Sequence, residues 1–164
     1  MRFAALALSM FVFATPVFAQ ETEMDRAEDE LRTQMAPAGV AVERTSRDEL
    51  RLSMPSDITF DFNRAEVRYE FLPRVHDVAR TLNRYPGMQV EIIGHADAIG
   101  SDQYNMALSE RRAQSVGAVL MNNGVAYYRI GARGMGEWAP IASNANEWGR
   151  ARNRRVEIVI KAPK

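Results

Sequence analysis

The chain has 164 residues, 46% of them hydrophobic and 9% aromatic, with 21 Lys and Arg balanced by 21 Asp and Glu, which is globular material for about one domain. Without cysteine it has no disulfide framework, no thiol nucleophile, no Cys-ligated zinc and no lipid carried on an N-terminal cysteine. His76 and His95 are its only histidines, too few for a His-rich metal site, and the zero charge balance exerts no global pull toward nucleic acid or anionic membrane.

Met1-Arg2 is followed by an uncharged stretch, Phe3 to Ala19, broken by Pro16 and closing Val17-Phe18-Ala19. One positive charge, an apolar core, a helix breaker and then small or tolerated residues at −3 and −1 of a cleavage point after Ala19 predict a secretory signal peptide over residues 1–19. An uncleaved membrane anchor is the alternative, but the stretch is short of the ~20 residues a span needs. Residues 20–39 form an acidic N-terminal segment with Met24, Ala27, Leu31 and Met35 near helical spacing, broken by Pro37-Ala38-Gly39. As a charged terminus it reads first as a flexible lead, with a short helix or a partner contact as alternatives. The remainder, 40–164, is read as one domain.

From Val40 the pattern alternates, through Val42 and then Leu50, Leu52 and Met54, around the polar turn Thr45 to Asp48; this predicts a hairpin. Ile58 to Phe62 is predicted as a strand. Val67 to Tyr85, with Phe71, Leu72, Val75, Val78, Ala79 and Leu82 at three- and four-residue steps, is predicted as a helix whose first turn holds Pro73. Met88 to Ile93 is a strand, Gly94 to Gly100 a loop, and Ser101 or Asp102 caps a long helix ending at Asn122-Asn123-Gly124. Ile130 to Met135, Asn144 to Asn153 and Val156 to Ile160 complete the pattern as strand, helix and strand. The fold class expected is α+β, a mixed β-sheet with helices packed on one face.

Charge is unevenly distributed. Residues 20–77 hold 8 basic and 14 acidic side chains, whereas residues 78–164 hold 12 and 7, the basic ones almost all arginine. Arginine suits planar, two-pronged recognition of carboxylates. On the helix from Asp102, at about 100° per residue, Leu108, Val116, Val119 and Leu120 define a core-facing sector centred near 100° from Tyr104, and Arg112 at about 80° and Asn105 at about 100° fall inside it. A buried arginine requires a partner. Asp97, in the preceding loop, is the nearest candidate in the chain's path. Two readings stay open from the residues alone: an internal Asp97–Arg112 ion pair, or two separate poles that receive an amino-acid zwitterion. An enzyme is not expected, since cysteine is absent, no Gly-x-Ser-x-Gly elbow occurs and His76 has no metal-ligand partner at i+4.

Gly94-His95-Ala96-Asp97-Ala98-Ile99-Gly100, then Tyr104-Asn105, Leu108-Ser109, Arg111-Arg112-Ala113, Gly134-Met135-Gly136-Glu137, Pro140, Gly149-Arg150 and Asn153-Arg154-Arg155-Val156-Glu157-Ile158 strongly resemble the OmpA C-terminal-like domain from about Pro55 to Ile160. The resemblance implies a βαβαβ-type domain that binds peptidoglycan non-covalently by holding the diaminopimelate residue of the stem peptide. Asp97 and Arg112 match the family's ligand-holding positions. On that reading Asp97 accepts the ligand's ammonium, Arg112 binds its carboxylate, and Asn105 hydrogen-bonds or orients one of them. Phe62 and Leu108 would cover the apolar part of the ligand, with a plain core role as the equal alternative, and Arg150, Arg154 and Arg155 would reach the glycan or stem-peptide carboxylates, with surface ion pairs as the equal alternative. His95 is read as a packed residue.

Two departures from the family pattern stand out. Ala96 replaces the usual threonine before the motif aspartate, and the chain shows none of the barrels, lipidated cysteines or transmembrane helices that attach relatives to a membrane. The expected place is therefore the periplasm, on peptidoglycan and in association with the outer membrane, with an outer-membrane protein gripping residues 20–36 as a candidate partner. A stator or scaffold subunit is the alternative if the N-terminal segment is retained as an anchor. No cofactor, metal or nucleic acid is implied.

Overall fold

The computed structural model describes residues 21–163; the expected signal peptide, residues 1–19, lies outside the described residues. The first element is the helix α1 (Glu23–Met35), and here the expectation of a flexible lead gives way to the helical alternative. Thr22 and Asp25 form a reciprocal capping box, so two of the helix's unpaired N–H groups find acceptors. Met24, Ala27, Leu31 and Met35 are buried in the common core. The charges that suggested a solvated terminus are the outer face of an amphipathic helix. Several of them tie it down: Arg44 donates to Glu28 and to Asp25, each at 2.8 Å, and Glu30 accepts from Arg84 and Tyr85.

The predicted hairpin is β1 (Ala41–Ser46) and β2 (Glu49–Pro55), paired antiparallel. The predicted strand over Ile58–Phe62 is corrected. Ser56–Thr59 is a single helical turn, α2. Thr59 Oγ1 donates back to the Pro55 carbonyl at 2.8 Å and Phe60 N–H donates to Ser56 O at 2.8 Å, and such local side-chain bonds compete with strand formation. Phe60 keeps one isolated bridge to Val67 and its ring is buried.

The next helix, α3 (Leu72–Arg84), starts five residues later than expected, with Pro73 in its first turn, where its missing N–H costs nothing. Then follow β3 (Gln89–His95), α4 (Asp102–Asn122) with Ser101 as its cap, β4 (Ile130–Gly134), α5 (Glu147–Asn153) capped by Asn146, and β5 (Arg155–Lys161).

The five strands order as β1-β2-β5-β3-β4. Only β3 and β4 run parallel, joined by α4 as the crossover; the other neighbours are antiparallel. Strand side chains alternate between faces. Leu50, Leu52 and Met54, Val90 and Ile92, and Val156, Ile158 and Ile160 share the core with Leu31, Val75, Val78, Leu82, Val116 and Leu120 of α1, α3 and α4. The helices thus cover one face of a mixed sheet, the expected α+β class. The alternate residues include Arg51, Glu91, His95, Arg155 and Glu157 and occupy the other face. There His95 Nε2 lies 3.8 Å from Glu157, and Arg155 Nε donates to Glu157 at 2.8 Å. Among the described residues no helix is long and apolar enough to cross a membrane.

Candidate functional site

The C-terminal end of β3, the N-terminal half of α4 and the junction of α5 with β5 meet at one end of the sheet. Backbone contact fixes this meeting. A Cβ built on Gly94 would stand 1.9 Å from the Ser109 carbonyl oxygen, so α4 lies directly on the end of β3 only because residue 94 has no side chain. Ser109 Oγ then donates to Met106 O and accepts from Gly136 N–H, each at 2.9 Å, which joins α4 to the loop after β4. Ala96, where the family pattern has threonine, contributes through its backbone, its N–H donating to Gly136 O at 2.8 Å.

Around this junction opens a cleft of about 700 Å³, lined by Asp97, Asn105, Leu108 and Arg112, with Phe62 at its edge. Of the residues expected to hold or cover the ligand, these five come together, and Arg154 joins them in the lining. Asp97 is held on both oxygens: Oδ1 accepts from Ile99 N–H at 2.9 Å and Oδ2 from Arg154 at 2.7 Å. Asn105 does not point a donor into the cleft. Its amide donates to the Asp97 backbone carbonyl at 3.0 Å and to Glu137 at 2.8 Å, so it positions the Asp97 loop. Leu108 is buried in the cleft wall, while Phe62 is 91% exposed.

Arg112 is buried, as its helical angle predicts, yet the internal Asp97–Arg112 ion pair is not formed. Its Nε donates to the Arg64 carbonyl at 2.9 Å, and its guanidinium carbon stands 4.9 Å from the centre of the Phe60 ring. A cation over an aromatic face is attracted by the ring quadrupole, but no carboxylate lies within ion-pair distance of Arg112 among the described residues. Burial lowers its pKa from the usual arginine value, the mark of a desolvated cation lacking a full counter-charge.

The counter-charge of Asp97 is Arg154. Its Nε and Nη2 fork onto Asp57 at 3.1 and 2.9 Å, Nη1 reaches Asp97, and Nη2 also reaches Glu147 at 2.7 Å. The bonds to Asp57 raise its pKa above the ordinary value against the opposing effect of burial, with Asp97 and Glu147 adding to the rise. Asp57, Phe60, Glu147 and Arg154 all line the cleft and were not among the expected ligand-holding residues, although Arg154 was named beside Arg155. Arg155 does not line the cleft. Facing the opposite side of the sheet, it donates to Glu157, to Asn153 O at 3.2 Å and to Ala139 O at 3.3 Å. The one-residue alternation at the start of β5 separates the two arginines.

Asn153 ties the segment before α5 to the Asp97 loop. Fully buried, it accepts from Ile141 and Ala142 N–H and donates to Ala142 O and Asn144 Oδ1, and the latter accepts from Ala98 N–H in the Asp97 loop. The lining thus presents four carboxylates, Asp57, Asp61, Asp97 and Glu147, against the two guanidinium groups of Arg112 and Arg154. Such a lining is complementary in charge to a group that carries both an anionic and a cationic end. Among the described residues no cluster of three or more His, Cys, Asp or Glu is placed to hold a metal ion.

Comparison with known proteins places this architecture. The OmpA family matches residues 59–154. The Probable lipoprotein YiaD of Escherichia coli (strain K12) is 42% identical over 137 residues, which cover 84% of this chain and 62% of that protein. Among solved structures, the cell wall anchor of the T6SS from Pseudomonas aeruginosa aligns with a TM-score of 0.71 and 37% identity over 82% of this chain and 99% of that one. The peptidoglycan-associated lipoprotein from Burkholderia pseudomallei aligns with a TM-score of 0.59 and 27% identity over 70% and 91%. The chain spans under two thirds of the length of the first curated relatives it matches. With more than half of its residues inside the family match, its sheet order, its glycine-tight α4 and its two-poled cleft in place, the chain belongs to the OmpA family.

Proposed function

We propose that this protein binds peptidoglycan non-covalently in the periplasm, after removal of residues 1–19, and ties the wall to the rest of the envelope. The ligand is the free end of the diaminopimelate residue in the stem peptide, which carries an ammonium and a carboxylate on one carbon. The observation that carries the reading is the buried Arg112 guanidinium, which lines the cleft with no carboxylate within ion-pair distance among the described residues, while Asp97 lines the same cleft. Arg112 takes the ligand carboxylate in a two-pronged, charge-assisted contact, and Asp97 takes the ammonium. Leu108 and Phe62 cover the methylene chain between them, and Asn105 holds the Asp97 loop. The names of two structural relatives, a cell wall anchor and a peptidoglycan-associated lipoprotein, support the same reading.

One site of this type binds weakly, because the gain from pairing each buried charge is offset by the cost of desolvating the ligand's own charges. Repetition along a polymeric wall compensates through avidity where several copies are tethered together. Co-sedimentation tests the proposal. The mature protein pellets with diaminopimelate-type sacculi and stays in solution with lysine-type sacculi, and Arg112→Ala remains in solution with both. Equal pelleting of Arg112→Ala and wild type with the first kind removes the site assignment.

A further inference from the structure

We propose that Trp148 is a sugar-stacking platform beside the cleft, which receives a hexosamine ring of the glycan strand that carries the stem peptide; the inference rests on the reading of the cleft as the diaminopimelate site. Trp148 is 70% exposed on α5. A tryptophan buries a large apolar area when it joins a core. This one joins none, so packing gives no reason for its presence. Arg152, one helical turn further on, places its guanidinium carbon 4.9 Å from the centre of the Trp148 ring. The contact covers one face of the indole, restrains its tilt and leaves the other face to solvent.

Its position is continuous with the cleft. Trp148 follows Glu147, which lines the cleft with Asp97. Arg154 links those two carboxylates, donating from Nη1 to Asp97 and from Nη2 to Glu147, each at 2.7 Å. One guanidinium therefore separates the Asp97 pole from the rim at Glu147, and the indole stands on the next residue of α5. The ligand has the reach to span this. Two residues lie between the diaminopimelate and the sugar, and three extended steps cover on the order of 10 Å, enough to carry a sugar past the rim of a cleft of about 700 Å³.

The chemistry favours a sugar over a protein surface. A pyranose ring presents C–H groups on its faces and hydroxyl or amide groups around its edge. An open indole face bordered by polar side chains complements it, covering the C–H groups while the border meets the edge. On α5 Trp148 is the one large exposed apolar side chain, flanked by the charged and exposed Glu147 and Arg152. A protein partner instead calls for an aromatic anchor centred in a desolvated apolar patch. Covering on the order of 50 Å² of indole and sugar C–H surface is worth about five- to tenfold in affinity.

Calorimetry of the mature protein with two soluble ligands, a diaminopimelate tripeptide and the same tripeptide carrying its disaccharide, tests the proposal. Wild type binds the disaccharide form about five- to tenfold more tightly. Trp148→Ala, at an exposed position where the fold loses little, binds the free tripeptide as wild type does and loses the advantage of the disaccharide. Trp148→Phe, which keeps an aromatic face, retains part of it. Equal affinity of wild type for the two ligands, or a Trp148→Ala protein that keeps the full advantage or weakens both ligands alike, overturns the inference and leaves the proposed function standing. Wild type that binds neither ligand overturns the proposed function and the inference with it. Fluorescence gives a second readout. In Trp138→Phe, which leaves Trp148 as the chain's single tryptophan, emission moves to shorter wavelength as the disaccharide form saturates the site and stays fixed with the free tripeptide. An emission that responds equally to both ligands, or to neither, refutes the stacking.

Discussion

Arg129 provides a sharp test of how the fold is closed at the end opposite the cleft. It immediately precedes β4, is 4% exposed, and has no carboxylate partner among the described residues. Its guanidinium donates instead to three backbone carbonyls, Met88 O at 2.8 Å, Leu82 O at 2.9 Å and Tyr85 O at 3.0 Å. Leu82 lies in the last turn of α3 and Tyr85 caps it, so a cation stabilises the carbonyls that a helix C-terminus leaves unpaired. Burial lowers the Arg129 pKa from its usual value, but the group stays charged at any working pH.

In Arg129→Met the apolar stem is retained and the donors vanish. Tyr85 O keeps a second donor, Met88 N–H at 3.2 Å, which leaves two carbonyls without a replacement. At about 1–3 kcal/mol for each orphaned buried acceptor, partly offset by no longer burying a charge, the loss is roughly 2–4 kcal/mol. That corresponds to about 5–15 °C in Tm for a chain of this size. Urea unfolding followed by circular dichroism measures it. Wall binding below the transition is unaffected, because Arg129 does not line the cleft. A loss below about 1 kcal/mol refutes the reasoning that these bonds, and not packing of the stem, justify a buried arginine.

Three further perturbations address other parts of the account. Although burial pushes the Glu157 carboxyl up, His95 and Arg155 outweigh it and hold its pKa down to about 2, against an ordinary 4.5. A depressed folded-state pKa gives stability that is present above the unfolded value and disappears as pH falls through the folded one. Up to about 3 kcal/mol is therefore lost between pH ~4.5 and ~2, and urea midpoints against pH should show this slope in wild type and a flatter one in Glu157→Gln. Gly94→Ala drives a methyl into the Ser109 carbonyl, costs about 3 kcal/mol or more, and impairs wall binding by displacing α4 from the Asp97 loop. Leu31→Ala, at a fully buried position of α1, costs about 2–5 kcal/mol in a single unfolding transition; an uncoupled α1 would give no change.

The inward placement of Arg112 and Asn105 was legible in the sequence because helical periodicity assigns each residue of α4 an angle, and two polar side chains fell inside the apolar sector. The glycines stood in the motif, but what each of them approaches, as Gly94 does the Ser109 carbonyl, is set by tertiary packing and is not written in the local sequence. What periodicity cannot carry is the identity of a partner. Asp57 and Arg154 are 97 positions apart, and nothing local to either records that they meet. The choice between Arg154 and Arg155 turned on strand parity at the first residue of β5, where sequence patterns locate boundaries least well. The acidic character of α1 concealed a four-residue apolar stripe that was visible once helical spacing was weighed above terminal position. The run Ile58 to Phe62 has strand-like alternation, but the Thr59 hydroxyl, bonded back to the Pro55 carbonyl, commits its start to a turn.

The central claim is that the unpaired Arg112 guanidinium receives the ligand's carboxylate. The most direct measurement is a nuclear magnetic resonance titration of the mature protein with a diaminopimelate stem peptide, following the Arg112 Nε–H signal. The account predicts a saturable shift of that signal with the diaminopimelate peptide and none with the lysine peptide. Saturable binding of the diaminopimelate peptide that leaves the Arg112 signal unmoved would contradict it.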